Sequence, residues 1–309
     1  MSSATELISE QRQSLSNGTI HYWTYHADQP GPALIFLHGF SGNHHGLAPV
    51  VELLPQYRII APDLPGFGDS PPLAESLHTV ADYAVAVAEF IAALKLAEPP
   101  VLVGHSLGSV VAARVAVERP ELVAGQLILL SPTSTSPFAD LQPRYVGARL
   151  GELHYAFGAG FGALGEWWLH RPVISRFTTW ALLQTPDRAL RRRVYEHHIR
   201  DLGYLRHRRV FRDAYRSLNR DGVINYASAI TQQTLMIAGA NDTMWPASTQ
   251  QQVVAKLKHG QLVLLPGVGH LTHFEAPQAL AAAITAFLSG ADPAAAVASG
   301  HVALARRYK

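Results

Sequence analysis

The sequence predicts an α/β architecture on a mostly parallel sheet, and three observations predict it. Short uncharged runs, among them Ala33–Leu37, Val101-Leu102-Val103, Gln126–Leu130 and Leu235-Met236-Ile237-Ala238, alternate with longer stretches whose apolar residues recur at steps of three and four. That is the pattern of strands covered on both faces and of the amphipathic helices that cover them. Glycine-bearing loops follow the runs: His38-Gly39-Phe40-Ser41-Gly42, Asp63–Ser70, Gly239-Ala240-Asn241-Asp242 and Pro266–His270. Finally, Gly104-His105-Ser106-Leu107-Gly108 stands at a strand-to-helix junction. A G-x-S-x-G there reads as a sharp turn that lifts one serine hydroxyl clear of its neighbours, and a Cβ at either glycine would crowd the abutting strand and helix.

Along the chain, Gly18 to His26 alternates as an exposed antiparallel strand does, with Ile20, Tyr22 and Thr24 on one face. The turn cluster Asp28 to Pro32 leads into the buried strand Ala33–Leu37. His44 to Leu54 reads as a short helix, Tyr57 to Ala61 as a strand, and Asp63–Ser70 as its glycine-rich exit. Leu77 to Leu96 carries helical periodicity, and Ser109 to Glu118 is the helix after the serine turn. Ser131 to Pro137 is turn-rich and marks a boundary. From there to about Asn225 the chain reads as helical, with Trp167, Trp168, Phe177 and Trp180 among its aromatics. Strand-like runs return at Thr234 and at Leu262–Leu265, with helices at Pro246 to Leu257 and Glu275 to Leu288. The expected organisation is a core of 1–133 and 226–290, an inserted helical cap of 134–225, and an alanine-rich tail of 291–309, frayed or disordered.

The 309 residues are 48% hydrophobic and 16% charged, as in an ordinary soluble globular chain with room for one large core and an insertion. No uncharged apolar run of about 18 residues occurs, so no transmembrane segment is expected. Met1 to Asn17 lacks the layout of a signal peptide, and a cytoplasmic location is the expectation. The absence of cysteine excludes disulfides, cysteine catalysis and thiolate metal sites. No cofactor is expected: Asp63–Ser70 matches no nucleotide fingerprint, and the adjacent pairs His44-His45 and His197-His198 do not converge on one ion. Nor is nucleic acid expected as a partner. Charge is unevenly spread: between Ser134 and Asn225 stand fifteen Arg and no Lys against eight acidic residues, a formal +7, while the rest carries ten basic and fifteen acidic residues, a formal −5. Arginine's planar fork suits carboxylate and phosphate, so an anionic carrier or an anionic lipid surface is a candidate partner for this module. Pairing with the chain's own acids is the alternative.

A serine hydroxyl is a weak nucleophile at neutral pH and needs a base within hydrogen-bond reach, which in turn needs a carboxylate to fix its tautomer. Asp242 and His270 follow two strand-like runs at the positions such partners require, in the order Ser, Asp, His. Ser106 is therefore the expected nucleophile, His270 the general base and acid, and Asp242 its orienter. The loop after Gln126–Leu130 is Ser131-Pro132-Thr133, with no competing carboxylate.

His38-Gly39-Phe40, Asp63–Ser70, the Ser106 turn, Gly239–Asp242 and Gly269-His270 together resemble the α/β-hydrolase fold superfamily, in its cap-bearing, serine-nucleophile, esterase-like branch. The resemblance spans roughly Ile20 to Leu288. It implies an eight-stranded, mostly parallel sheet and an oxyanion hole made by the backbone amides of Leu107 and Phe40. It also implies that His38 braces its loop and that His105 packs beneath the nucleophile, while His273 reads as a helix-entry residue. A serine in place of aspartate argues against dehalogenases and epoxide hydrolases. The expected activity is hydrolysis of a small-molecule carboxylic ester or thioester through an acyl-serine intermediate, with acyl carrier protein or coenzyme A as the anionic carrier. A meta-cleavage-type C–C hydrolase and a non-catalytic ligand receptor are the alternatives; His105 and Ser109 depart from the Gly-Asn-Ser-x-Gly-Gly of the former.

Overall fold

The computed structural model describes residues 9–136, 146–201 and 207–299. Its strands are β1 (Ser9–Leu15), β2 (Gly18–Tyr25), β3 (Leu34–Leu37), β4 (Ile59–Pro62), β5 (Val101–His105), β6 (Gln126–Leu130), β7 (Gln233–Gly239) and β8 (Gly260–Leu265). The α-helices are α1 (His44–Val51), α2 (Val80–Leu94), α3 (Leu107–Glu118), α4 (Val146–Gly160), α5 (Gly162–Leu169), α6 (Pro172–Leu182), α7 (Arg188–Asp201), α8 (Arg208–Leu218), α9 (Ala247–Val254), α10 (Thr272–Glu275) and α11 (Pro277–Leu288). The strands make one sheet in the order β1-β2-β4-β3-β5-β6-β7-β8, antiparallel only where β2 meets β1 and β4.

The central strands are apolar at every position because helices cover both faces. Ile35, Leu37, Leu102 and Leu129 face a core shared with α2, α3 and α9, whereas Leu34, Phe36, Val101 and Val103 face one shared with α1 and α11. α2 starts on a capping box between Thr79 and Asp82, and Lys95 closes it in the left-handed conformation. Because β3, β5, β7 and β8 run parallel, the loops that leave their carboxyl ends emerge at one sheet edge.

Three parts of the chain differ from the sequence expectation. β2 is antiparallel as predicted but is not exposed: Tyr22, Trp23, Thr24 and Tyr25 are all buried. The Tyr22 ring meets Phe90 of α2 edge-on at 5.2 Å on one side, and His44 stacks on Trp23 at 3.3 Å on the other. β1 shields the edge of β2 in full register from Ser9↔Thr24 to Leu15↔Gly18. β1 itself was not predicted, because Ser9–Leu15 is an edge strand of polar residues that carries no hydropathy signal. In the tail, 293–299 is helical and Val297 is buried against the second core, so this part is neither frayed nor disordered.

Between β6 and β7 the chain departs into α4–α8. It leaves and returns at one place, where Val223 N–H and Ile224 N–H donate to the carbonyls of Thr133 and Ser134 at 2.9 and 3.0 Å. Val210, Phe211, Ala214 and Leu218 of α8 sink into the first core beside Phe67, so this insertion is docked on the body by a helix of its own. Pro137, at the end of the expected boundary, and Arg206 lie outside the described residues.

Candidate active site

Ser106 sits between β5 and α3 with φ 51° and ψ −113°, a backbone that non-glycine residues rarely adopt. The surroundings hold it there. Its N–H donates to Leu130 O at 3.1 Å, while its carbonyl accepts from Ser109 N–H at 2.9 Å and from Ser109 Oγ at 2.5 Å. Two glycines make the turn possible. A Cβ on Gly104 would stand 2.3 Å from Gly108 O, and one on Gly108 would stand 2.2 Å from Leu37 O. The strand can thus cross α3, and α3 can cross the end of β3, only without side chains at these points.

The loops after β7 and β8 deliver the other two predicted residues. His270 Nε2 lies 3.0 Å from Ser106 Oγ, and Nδ1 lies 2.7 Å from Asp242 Oδ2. The remaining carboxylate oxygen of Asp242 accepts N–H groups of Met244 and Trp245 at 2.8 and 3.1 Å. All three residues are buried, with exposures of 7% for Ser106, 3% for Asp242 and 4% for His270. Gly239 permits the two loops to abut, since a Cβ there would meet Gly269 O at 2.1 Å.

A second set of contacts fixes the histidine loop from the insertion. His270 N–H donates to Leu182 O at 2.9 Å, at the end of α6. Glu275 receives Gly269 N–H on one oxygen at 3.0 Å and Gln184 N–H on the other at 2.9 Å, which clamps the loop to the segment after α6. Burial raises the Glu275 carboxyl above its ordinary range, against the pull of these amides. Arg191 completes the strap by donating to the carbonyls of Leu183 and Thr185 at 3.1 and 3.0 Å. Sequence reasoning missed Glu275, because its partners are backbone amides, one six residues and the other 91 residues upstream, and no spacing announces such contacts.

At the β3 exit, a Cβ on Gly39 would stand 2.8 Å from His105 Nδ1 and 3.1 Å from Ser106 Cβ, so the loop lies directly against the serine turn. Gly39 O accepts from His38 Nδ1 at 2.8 Å and from Gly42 N–H at 3.0 Å. In a trans peptide the C=O and the next N–H point oppositely, so the Phe40 amide is turned away from those donors. The Phe40 ring is packed edge-on among Phe67, Tyr155 of α4, and Phe211 and Tyr215 of α8. Leu107 opens α3, where the helix leaves its N–H without an intrahelical acceptor.

The other histidines near Ser106 are neutral packing groups. His38 Nε2 accepts Leu64 N–H at 2.8 Å, so its proton is on Nδ1, and burial lowers its pKa. Burial and the neighbouring His270 push His105 down to about 3, and burial drives His273 well below its usual value. Asp63 organises the loop after β4 by accepting the N–H of His44 at 2.7 Å and of Asp69 at 2.9 Å. Several arginines are structural too. Arg208 donates to the carbonyls of Gly158 and Gly162, Arg220 binds Glu152 at 2.8 Å, and Arg192 pairs with Glu196 at 2.8 Å.

The model of the alpha/beta hydrolase family matches residues 34–283, and this chain belongs to that family. It is a hydrolase. Over 290 residues it is 26% identical to an (E)-2-((N-methylformamido)methylene)succinate hydrolase of Acinetobacter baylyi, covering 91% of this chain and 98% of the relative. Over 248 residues it is 27% identical to a pimeloyl-(acyl-carrier protein) methyl ester esterase of Xanthomonas campestris, covering 78% and 88%. Among solved structures, the enol-lactonase of Burkholderia xenovorans superposes with a TM-score of 0.74 at 16% identity, covering 90% of this chain and all of that one, a likeness of fold.

Proposed function

We propose that this hydrolase cleaves a carboxylic ester through an acyl-serine intermediate. The observation that carries the reading is the buried line of contacts from Asp242 through His270 to Ser106 Oγ, at 2.7 and 3.0 Å. His270 Nε2 takes the Ser106 proton as Oγ attacks the ester carbonyl, while Asp242, tied by two amides, holds the ring and stabilises the imidazolium. The oxyanion rests on the amides of Leu107 and Phe40. His270 then protonates the leaving alcohol and activates the water that releases the acyl group. The anchoring of Gly39 O and the position of Leu107 at the start of α3 support this assignment; loss of one such donor typically costs about 3 kcal/mol of transition-state stabilisation.

In this reading residues 134–225 form a cap over the site, since α6 touches the histidine loop and α4 and α8 hold Phe40. The formal +7 of that segment and the resemblance to an esterase named for an acyl-carrier protein ester support an acyl group carried on an anionic carrier, protein or coenzyme A. The test is fluorophosphonate labelling together with a p-nitrophenyl ester series. Wild type is expected to label at Ser106 and turn over, whereas Ser106→Ala and His270→Ala lose activity by several orders of magnitude, and their combination is little worse than either. Near-normal turnover by Ser106→Ala refutes the acyl-serine route.

A further inference from the structure

The insertion turns apolar stripes outward. On α6, Val173, Phe177 and Trp180 recur at steps of four and three and are 65%, 63% and 65% exposed. On α5, Leu164 and Trp167 are three apart and 56% and 53% exposed. Helical spacing puts each set on one side of its helix, the side a globular protein normally turns inward. α4 repeats the pattern with Leu150 and Leu153, 61% and 66% exposed. Five aromatic side chains of α5, α6 and the turn before α5 are exposed, Phe161, Trp167, Trp168, Phe177 and Trp180, more than the scattered single apolar residues of an ordinary surface.

A guanidinium stands over one of these rings: the Arg171 group lies 3.6 Å from the centre of the Trp167 ring, while that of Arg176 on α6 lies 4.9 Å from the ring of Tyr195 on α7. We propose that α5 and α6 form a docking face for the surface of an anionic phospholipid bilayer. Trp167, Phe177 and Trp180 enter the interfacial layer, and Arg171 and Arg176 meet headgroup phosphates. The charge decides the occupant. Arg171 and Arg176 outnumber Glu166 on these two helices and the turn between them, so a second copy would set like charges against each other, whereas an anionic leaflet attracts both arginines. No helix among the described residues is long and apolar enough to cross a membrane, so attachment is peripheral, by aromatic side chains and charge.

The test is sedimentation of the full chain with vesicles of phosphatidylcholine alone or with about 30% phosphatidylglycerol, at about 20 and about 300 mM salt. Expected is binding to the anionic vesicles at low salt, about tenfold weaker at high salt and on neutral vesicles. Trp167→Ser/Phe177→Ser is expected to lose about tenfold in binding while keeping its circular dichroism and its turnover of a soluble ester. Ser106→Ala is expected to bind as wild type does, which separates this inference from the catalytic one. Undiminished binding by the double variant, or no vesicle binding by wild type, overturns the proposal. So does a wild-type dimer that the same substitutions dissolve, or binding of an acidic carrier protein that they abolish while vesicle binding persists.

Discussion

Glu275 offers the sharpest test of how the insertion serves His270 in the proposed mechanism. Its two oxygens hold the amides of Gly269 and Gln184 at 3.0 and 2.9 Å, so it bridges the His270 loop to the chain after α6. Glu275→Gln keeps one acceptor oxygen but turns an NH₂ group toward an amide that also donates. A hydrogen bond to an ionised group contributes about 1.5–3 kcal/mol; because Glu275 is only half-buried, the lower end applies, about 1.5 kcal/mol of stability. The catalytic loss is expected to match or exceed that figure, at about 1.4–2.7 kcal/mol. His270 N–H hangs on Leu182 O in the same strap, and a displacement of about 1 Å at the base costs up to about 100-fold in rate. Steady-state kinetics on p-nitrophenyl butyrate should show kcat lowered about 10- to 100-fold with KM changed far less, and Glu275→Asp should recover part of it. A kcat within about twofold of wild type, beside a thermal midpoint lowered by about 3–6 °C, refutes the coupling and leaves the clamp as packing.

Gly39→Ala forces a Cβ to 2.8 Å from His105 Nδ1, so kcat should fall about 100-fold with the fold retained, as read by circular dichroism and esterase assay. His105, held near 3 by burial, binds its proton in the unfolded chain at about 6.5; the stability it contributes is complete above about 6.5 and is lost as pH falls toward 3. Urea unfolding at about pH 7.5 and 5.5 should therefore show His105→Gln losing about 1.3 kcal/mol less than wild type over that interval. For the carrier, Arg193→Glu and Arg209→Glu are the informative variants, since both side chains are exposed while Arg191 and Arg208 hold backbone carbonyls. Steered binding predicts that kcat/KM for an anionic thioester falls steeply with salt and with these reversals, with a neutral ester unaffected. Equal salt response for both substrates assigns the arginines to packing alone.

The α/β architecture was legible in the sequence because parallel strands covered on both faces must be apolar at every position, and Leu34–Leu37 and Val101–Val103 can be little else. That Ser106, Asp242 and His270 would come together was legible for a related reason: a parallel sheet gathers the loops at the carboxyl ends of its strands, and each of the three follows a strand-like run. Edge geometry was not. β1 is polar because its outer side meets water, and only its pairing with β2 makes it a strand. Nor were contacts to main-chain atoms legible, since a backbone amide has no identity in the sequence. Glu275 finding Gln184 and Gly269, Arg191 finding Leu183, and Gly39 O finding His38 depend on where distant segments come to lie. The same holds for the apolar stripes of α5 and α6. Their spacing reads as a buried face, and only tertiary packing, by placing α8 against the body instead, decides that they look outward.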